Sequence, residues 1–167
     1  NIEDFGNILN YGKLECFGTL NSVSVGSNLN NCGKVYCHSN VTVNGTITNG
    51  TLDNHDAMFY ASASTSAEIY ATNIENYANF FAHDINVRVV ESFSCYEGSK
   101  IYVDTGDITT NNFEINAKCS LKYGKNFAIN STLINRTNLK LTKISAQKIQ
   151  NEGTLFVDSG SKDFQIR

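Results

Sequence analysis

The chain repeats a nine-residue unit at intervals of about 20 residues. Each unit holds an apolar residue, then Asn two positions later, then a small residue and two apolar residues in alternation. Clear copies begin at Ile8, Leu29, Ile74, Leu133 and Ile149. Self-similarity at such a period is typical of architectures in which each unit stacks on its neighbours. The sequence therefore predicts a fold that grows by adding one unit after another.

Aligned copies form columns that predict the register of this stack. The small-residue column contains Gly12, Gly33, Gly50, Ala78, Ser99, Ala117, Thr137 and Gly153. Two positions later stand Leu14, Val35, Leu52, Phe80, Ile101, Cys119, Leu139 and Leu155. Apolar residues that alternate with other residues indicate short strands with one buried face. No segment shows a convincing helical period, so each repeat is predicted to be one coil made of strands.

We therefore predict an all-β fold, a single-stranded right-handed parallel β-helix (β-solenoid) of about eight coils. One domain is expected over residues 1–167, with an inserted loop around 61–68, where the repeat interval lengthens. The right-handed sense follows from the usual chirality of parallel crossovers. A chain of 167 residues without Pro suits strands that pair on both sides. A β-sandwich is the alternative fold, although it does not require the columns to share one phase.

Charge and hydrophobicity exclude two classes of partner. The chain has 13 basic and 16 acidic residues, for a net charge of −3. A nucleic-acid-binding surface normally carries an excess of Lys and Arg, so no nucleic-acid partner is expected. No apolar run approaches the ~18 residues of a membrane-spanning helix, so no membrane span is expected.

The repeats resemble those of filamentous-haemagglutinin-type bacterial adhesins. The similarity lies in Asn-x-Gly-x-Leu units such as Asn10–Leu14 and Asn151–Leu155, and in Asn49-Gly50-Thr51-Leu52. This resemblance implies a right-handed β-helix on the cell surface. The segment Val41–Ile47 is also similar to bactofilins, which implies a cytoplasmic β-helix that polymerises end to end. Neither family implies catalytic residues.

These features predict a non-enzymatic structural or adhesion β-helix, a segment of a surface or secreted protein that displays loops for interaction. Its partner is expected to be a protein or a glycan at a cell surface, and its location extracellular or on the surface. A cytoplasmic polymerising scaffold with end-to-end self-association is the first alternative. A small carbohydrate-active enzyme is the second, but no column of carboxylates forms across neighbouring coils, as such a site requires. No catalytic residue is predicted.

Three histidines mark the one candidate metal site. His38, His55 and His83 each follow a small-column residue by five positions, so the predicted register stacks them on consecutive coils. Asp56 and Asp84 follow two of them directly and are possible helpers, and Asp104 continues the column. Imidazoles one coil apart with nearby carboxylates could bind a divalent metal such as Zn²⁺. A stacked or pH-sensitive ladder without metal, or a chance column, are the alternatives, and no other cofactor is expected.

The five cysteines do not form the even set of a disulfide-rich domain. Cys16 and Cys37 share an inward column, where they pack as thiols or form a disulfide if the protein is exported. Cys119 and Cys95 are expected in the core. Cys32 falls on an outward position and is the expected free thiol.

Overall fold

A computed structural model describes residues 2–4, 6–16, 22–63, 67–123, 127–141, 144–157 and 165–166. They form a parallel β-solenoid of about seven turns, which confirms the predicted β-helix with one turn fewer. Every strand pair in the sheets is parallel, and partners lie one turn apart in the sequence. No helix in this part of the chain is long and apolar enough to cross a membrane. The right-handed sense stays a prediction.

The strands are short and follow one another closely. In chain order they are β1 (Ile2–Asp4), β2 (Ile8–Asn10), β3 (Lys13–Cys16), β4 (Val23–Val25), β5 (Leu29–Asn31), β6 (Lys34–Cys37), β7 (Val41–Asn49), β8 (Met58–Ser62), β9 (Glu68–Asn76), β10 (Asn79–His83), β11 (Asn86–Cys95), β12 (Lys100–Val103), β13 (Ile108–Ile115), β14 (Ser120–Tyr123), β15 (Phe127–Asn135), β16 (Asn138–Leu141), β17 (Ile144–Ala146), β18 (Lys148–Asn151), β19 (Thr154–Val157) and β20 (Gln165–Ile166).

Each turn contributes three strand segments. The long strands β7, β9, β11, β13 and β15 supply the first two segments, which are separated by a shift in register at mid-strand. Such a bulge bends a strand, so one strand serves two faces of the solenoid. The third segment is a separate strand, and β3, β6, β8, β10, β12 and β14 stack side by side as one sheet. This third-segment sheet carries the candidate site.

The core forms because alternate side chains of every segment point inward. Its centre is a series of phenylalanines, each at most 1% exposed, namely Phe59 of β8, Phe80 of β10, Phe93 of β11, Phe113 of β13 and Phe127 of β15. Phe59 and Phe80 stack with ring centroids 5.0 Å apart, and Phe80 meets Phe93 edge-on at 5.6 Å. Burial of such a side chain stabilises the fold by roughly 1.5–3 kcal/mol. The aliphatic residues of the same columns fill the space around these rings.

The repeated asparagines form a buried ladder at the turn between the second and third segments. Asn10, Asn31 and Asn49 each donate a side-chain hydrogen bond of 2.8 Å to the Asn of the next turn, the last to Asn76. Asn31 Oδ1 also accepts the backbone N–H of Gly33 at 3.2 Å. These bonds satisfy buried amides and hold a tight turn in shape. We call Asn10, Asn31, Asn49 and Asn76 the Asn ladder.

The predicted coil anchored on Gly50 is wrong. The structure places Phe59, not Leu52, in register with Val35 and Phe80. Ten positions separate Asn49 from Phe59, against four between Asn31 and Val35, and the six extra residues lie in an inserted turn over residues 50–56. Leu52 lies there and is 71% exposed. The sequence Asn49-Gly50-Thr51-Leu52 matches the repeat pattern, but it is Phe59 that occupies the core position, where its ring stacks on that of Phe80.

The coil anchored on Ala117 is also wrong, by two residues. Cys119 takes the small position beside Ser99, and Leu121 pairs with Ile101. Two turns in this region lack the ladder asparagine and are longer, with Gly98 and Lys118 at φ of 81° and 59°. The longer turn at Lys118 displaces β14 by two positions, so the alignment fails after Ile115, whereas the anchor Ser99 after the Gly98 turn was aligned correctly.

The loop predicted around 61–68 lies between β8 and β9. Eight positions separate Ala61 from Ile69, against four between Cys37 and Val41, so part of the extra length of this turn does lie here. The inserted turn at 50–56 holds the rest. Residues 64–66 of the predicted loop lie outside the described residues.

Candidate aromatic binding face

Four aromatic side chains form a continuous outward row on the third-segment sheet. Tyr36, Tyr60, Phe81 and Tyr102 lie in register on the adjacent strands β6, β8, β10 and β12 of this sheet. Each follows an inward core residue directly, so strand alternation turns it to the surface, where it is half-buried. Adjacent turns lie about 4.8 Å apart, so the rings succeed one another along the solenoid axis. We call these four residues the aromatic file.

The rings of the aromatic file lean against one another at an angle instead of stacking flat. The Tyr36 and Tyr60 centroids lie 6.1 Å apart with ring planes at 49°. Those of Phe81 and Tyr102 lie 6.2 Å apart with planes at 52°. Neither pair is stacked flat, so neither ring fully covers the face of the other.

A polar row runs beside the aromatic file, two positions further along each strand. It consists of His38, Ser62, His83 and Asp104 on four consecutive turns. His38 and His83 stand in this row, and Asp104 follows His83 on the next turn. Ser62 stands between the two histidines, at the place predicted for His55.

The predicted position of His55 in this column is wrong. The side chain lies on the inserted turn 50–56, where its Nδ1 contacts the backbone carbonyl of Tyr77. Asp56 is exposed on the same turn. Both residues lie in the inserted turn that follows Asn49, so neither occupies the position that the predicted coil assigned to it.

The structure therefore does not bring His38, His55 and His83 together as a zinc site. In the described part of the chain no group of three or more His, Cys, Asp or Glu side chains is arranged to bind a metal ion.

His83 instead joins two carboxylates. Its Nδ1 lies 2.7 Å from Asp104 Oδ2, and its Nε2 lies 3.3 Å from Asp84 Oδ2. Asp84 adopts a left-handed backbone conformation with φ of 53°, which ends β10 and turns its carboxylate back beside the imidazole. The other oxygen of Asp84 accepts a hydrogen bond from the Thr105 hydroxyl. Because two carboxylates flank one imidazole, the group formed by Asp84, His83 and Asp104 has a net negative charge whether the imidazole is neutral or protonated.

The aromatic file and the polar row together form a cleft. It has a volume of about 350 Å³ and is lined by Tyr60, Phe81, His83, Tyr102 and Asp104. Rings form one side, and the carboxylate and imidazole form the other. Ligand sites commonly combine an apolar wall with a few convergent polar groups. We take the aromatic file and this cleft as the candidate functional site.

A larger groove of about 480 Å³ lies on the first-segment face, around Arg88 and Asp107. Several of its polar groups form hydrogen bonds between adjacent turns of the solenoid. Asp107 N donates to Asn86 Oδ1 at 3.0 Å, and Asn130 Nδ2 donates to Asn111 Oδ1 at 3.1 Å. The Arg88 guanidinium lies over the Tyr70 ring at 5.9 Å. The carboxylate atom Asp107 Oδ1 is buried without a hydrogen-bond partner among the described residues. We take the cleft as the candidate because several aromatic rings line it together with polar groups, whereas no aromatic residue lines this groove.

The cysteines lie largely where the sequence places them. Cys16 and Cys37 are buried and in register on adjacent strands as free thiols. Burial, with a smaller effect of Cys16, raises the pKa of the Cys37 thiol to about 12. Cys95 is buried at the Asn-ladder position, in register with Asn76. Cys32 is partly exposed, as expected.

A thiol reagent is expected to modify Cys32 first in the folded protein at pH 8. The Cys37 thiol is buried and almost wholly protonated at that pH, and the thiolate is the reactive form. Spectrophotometric titration should show one fast thiol in the native state and five after unfolding. Cys32→Ser should remove the fast phase. Only three thiols after unfolding would mean that Cys16 and Cys37 are oxidised to a disulfide.

Sequence reasoning missed the aromatic file. Its signal is present, because each member follows the inward residue of its strand by one position, as in Val35-Tyr36 and Phe80-Phe81. For Tyr60 the signal was hidden by the wrong register after Gly50.

Comparison with known proteins gives no match to a family model, a curated protein or a solved structure. The resemblance to filamentous-haemagglutinin-type adhesins and bactofilins therefore stays a prediction from the repeats.

Proposed function

We propose that this chain is a non-enzymatic interaction module, a structural or adhesive β-solenoid that contacts a protein or a glycan at a cell surface. The aromatic file is the observation that carries the proposal. Four half-buried rings in one row form an apolar stripe along the third-segment sheet. On this proposal the chain acts outside the cell, with the stripe facing its partner.

The neighbouring rows make the stripe distinctive. On the first segment, the corresponding outward row includes Thr42, Tyr70, Arg88 and Thr109. The second segment has Thr48, Glu75, Ser94 and Glu114. Aromatic residues on a surface give large contact area at low entropic cost and dominate binding energies at interfaces. Neither of these two rows has aromatic residues on consecutive turns, and this difference supports a directed contact at the aromatic file.

The scaffold suits such a contact because it holds the rings in place. Each member of the file lies on a strand paired on both sides, with core residues one position away on either side. A surface that is already ordered loses little conformational entropy when it binds. The mid-strand side chains therefore offer a preformed face, independent of the loops.

Binding of the labelled chain to intact bacterial, fungal and animal cells, measured by flow cytometry, tests the proposal. Replacing Tyr60, Phe81 and Tyr102 together by serine should weaken binding at least tenfold, about 1.4 kcal/mol, since each ring is a candidate hot spot. Tyr70→Ser is the matched control, an outward tyrosine on another face, and should bind like the wild type.

Two outcomes would contradict the proposal. One is binding that survives the triple substitution unchanged while the protein stays folded by circular dichroism. The other is no binding of the wild type to any of the three cell classes. Sedimentation of the same samples would show whether the chain self-associates end to end, and so whether the cell-bound signal comes from aggregated chains instead of from direct binding.

A further inference from the structure

We infer that the cleft between Phe81, Tyr102, His83 and Asp104 binds a quaternary ammonium group. This inference rests on the proposed function, because it names the ligand chemistry of the same face. Three features of the described residues lead to it: aromatic rings, a net negative charge beside them, and carboxylate oxygens of which three of four already have contacts.

The rings supply the first feature. A cation is attracted to the face of an aromatic ring within about 6 Å of its centroid, and clustered rings recognise quaternary ammonium groups. Outward rings of the third segment already hold cations of the chain itself. Lys13 Nζ lies 5.5 Å from the Tyr36 centroid, and Lys140 Nζ lies 5.4 Å from that of Phe156. The cleft presents Tyr60, Phe81 and Tyr102 in the same outward positions.

The second feature is charge. Asp84 and Asp104 flank His83, so the polar side of the cleft is net negative whether the imidazole is neutral or protonated. Their side chains are 39% and 35% exposed, so a cation in the cleft can approach them. The opposite side of the aromatic file carries Lys34 and Lys100, which are exposed. A bound cation is therefore expected on the Asp104 side of the rings, and an anionic ligand is disfavoured there.

The third feature distinguishes a quaternary from a primary ammonium. A primary ammonium brings three N–H donors that each need an acceptor. In the cleft, Asp104 Oδ2 already faces His83 Nδ1 at 2.7 Å, and both oxygens of Asp84 have contacts. Of these two carboxylates, that leaves Asp104 Oδ1 as the one oxygen without a contact among the described residues, against three donors. A quaternary ammonium has no donors, so it needs only ring faces and a negative field. The cleft matches that requirement better than it matches hydrogen-bonding ligands.

Titration of the full chain with choline, followed by NMR shifts of the aromatic rings, tests the inference. We expect saturable binding with Kd on the order of 1 mM. Three comparison ligands define the chemistry: 3,3-dimethylbutanol is the uncharged carbon analogue, ethanolamine is the primary amine, and cellobiose represents a neutral glycan. Each should bind at least tenfold more weakly than choline.

Two variants locate the site. Phe81→Leu keeps an apolar side chain but removes the ring, and should weaken choline binding about tenfold. Asp104→Asn should weaken it severalfold, because it removes a charge while keeping similar shape. The matched controls are Tyr70→Leu on another face and Asp53→Asn on the inserted turn, and both should bind choline like the wild type.

Several results would overturn the inference. Equal binding of 3,3-dimethylbutanol would show an apolar site, and tighter binding of ethanolamine or cellobiose would show a hydrogen-bonding one. No binding of choline, or binding that Phe81→Leu leaves intact, would also reject it. In each case the cell-binding assay remains a separate measure, since loss of surface binding in the triple serine variant supports the interaction face whatever its ligand.

Discussion

Phe80→Ala is expected to lower the free energy of unfolding by about 3–5 kcal/mol. Phe80 is fully buried at the centre of the aromatic core, stacked on Phe59 at 5.0 Å and edge-on to Phe93 at 5.6 Å. Alanine would leave a cavity between turns that neighbouring strands cannot close, because hydrogen bonds to both adjacent strands fix their spacing. Urea unfolding followed by circular dichroism measures the change.

The neighbouring residue provides the control. Phe81 has the same chemistry and lies on the same strand, but it points outward and is only half-buried. Phe81→Ala should lower the unfolding free energy by no more than about 1 kcal/mol, since it removes surface contacts and creates no cavity. Equal losses for the two variants would mean that the strand register of β10 is wrong.

Asn49→Leu is expected to lower the unfolding free energy by about 2–5 kcal/mol despite its similar size. Asn49 is buried in the middle of the Asn ladder, where its Oδ1 accepts from Asn31 at 2.8 Å. Its Nδ2 donates to Asn76 Oδ1 at 2.8 Å and to the Asn79 carbonyl at 2.9 Å. Leucine can make none of these bonds, so buried amide groups on both neighbouring turns lose a partner. Thermal unfolding should show a clear drop in Tm.

Asn30→Leu makes the same substitution one position before the ladder residue Asn31, at an outward, partly exposed site. It should change the unfolding free energy by about 0.5 kcal/mol or less. If Asn49→Leu were equally harmless, the Asn ladder would contribute nothing to stability beyond side-chain volume.

The repeats alone indicated the fold class because period and alternation are local properties. A nine-residue unit at intervals of about 20 residues requires stacked turns, and alternate apolar positions require strands with one buried face. Where the ladder asparagine keeps the turn short, as at Asn10, Asn31 and Asn76, the predicted register was confirmed. In each of these turns, the inward residue of the next strand follows the asparagine by four positions.

The register failed where turn length changed. After Asn49 the inserted turn 50–56 adds residues, and after Ile115 the turn is longer and has Lys118 in a left-handed conformation. A sequence pattern cannot distinguish the false anchor Gly50-Thr51-Leu52 from a true one. The decision comes from packing, because the ring of Phe59 fits between Val35 and Phe80 in the core and Leu52 does not lie there.

The candidate site also depended partly on the sequence pattern and partly on the tertiary structure. From the sequence alone, His38, His83 and Asp104 could be assigned to one row, since each lies five positions after a small residue that was aligned correctly. Only the tertiary structure placed Ser62 between the histidines, moved His55 to an exposed turn and set Asp84 beside His83. It also brought Tyr60 into line with Tyr36 and Phe81. Local periodicity fixes which way a side chain points, but which turns become neighbours depends on loop lengths that only the packed core determines.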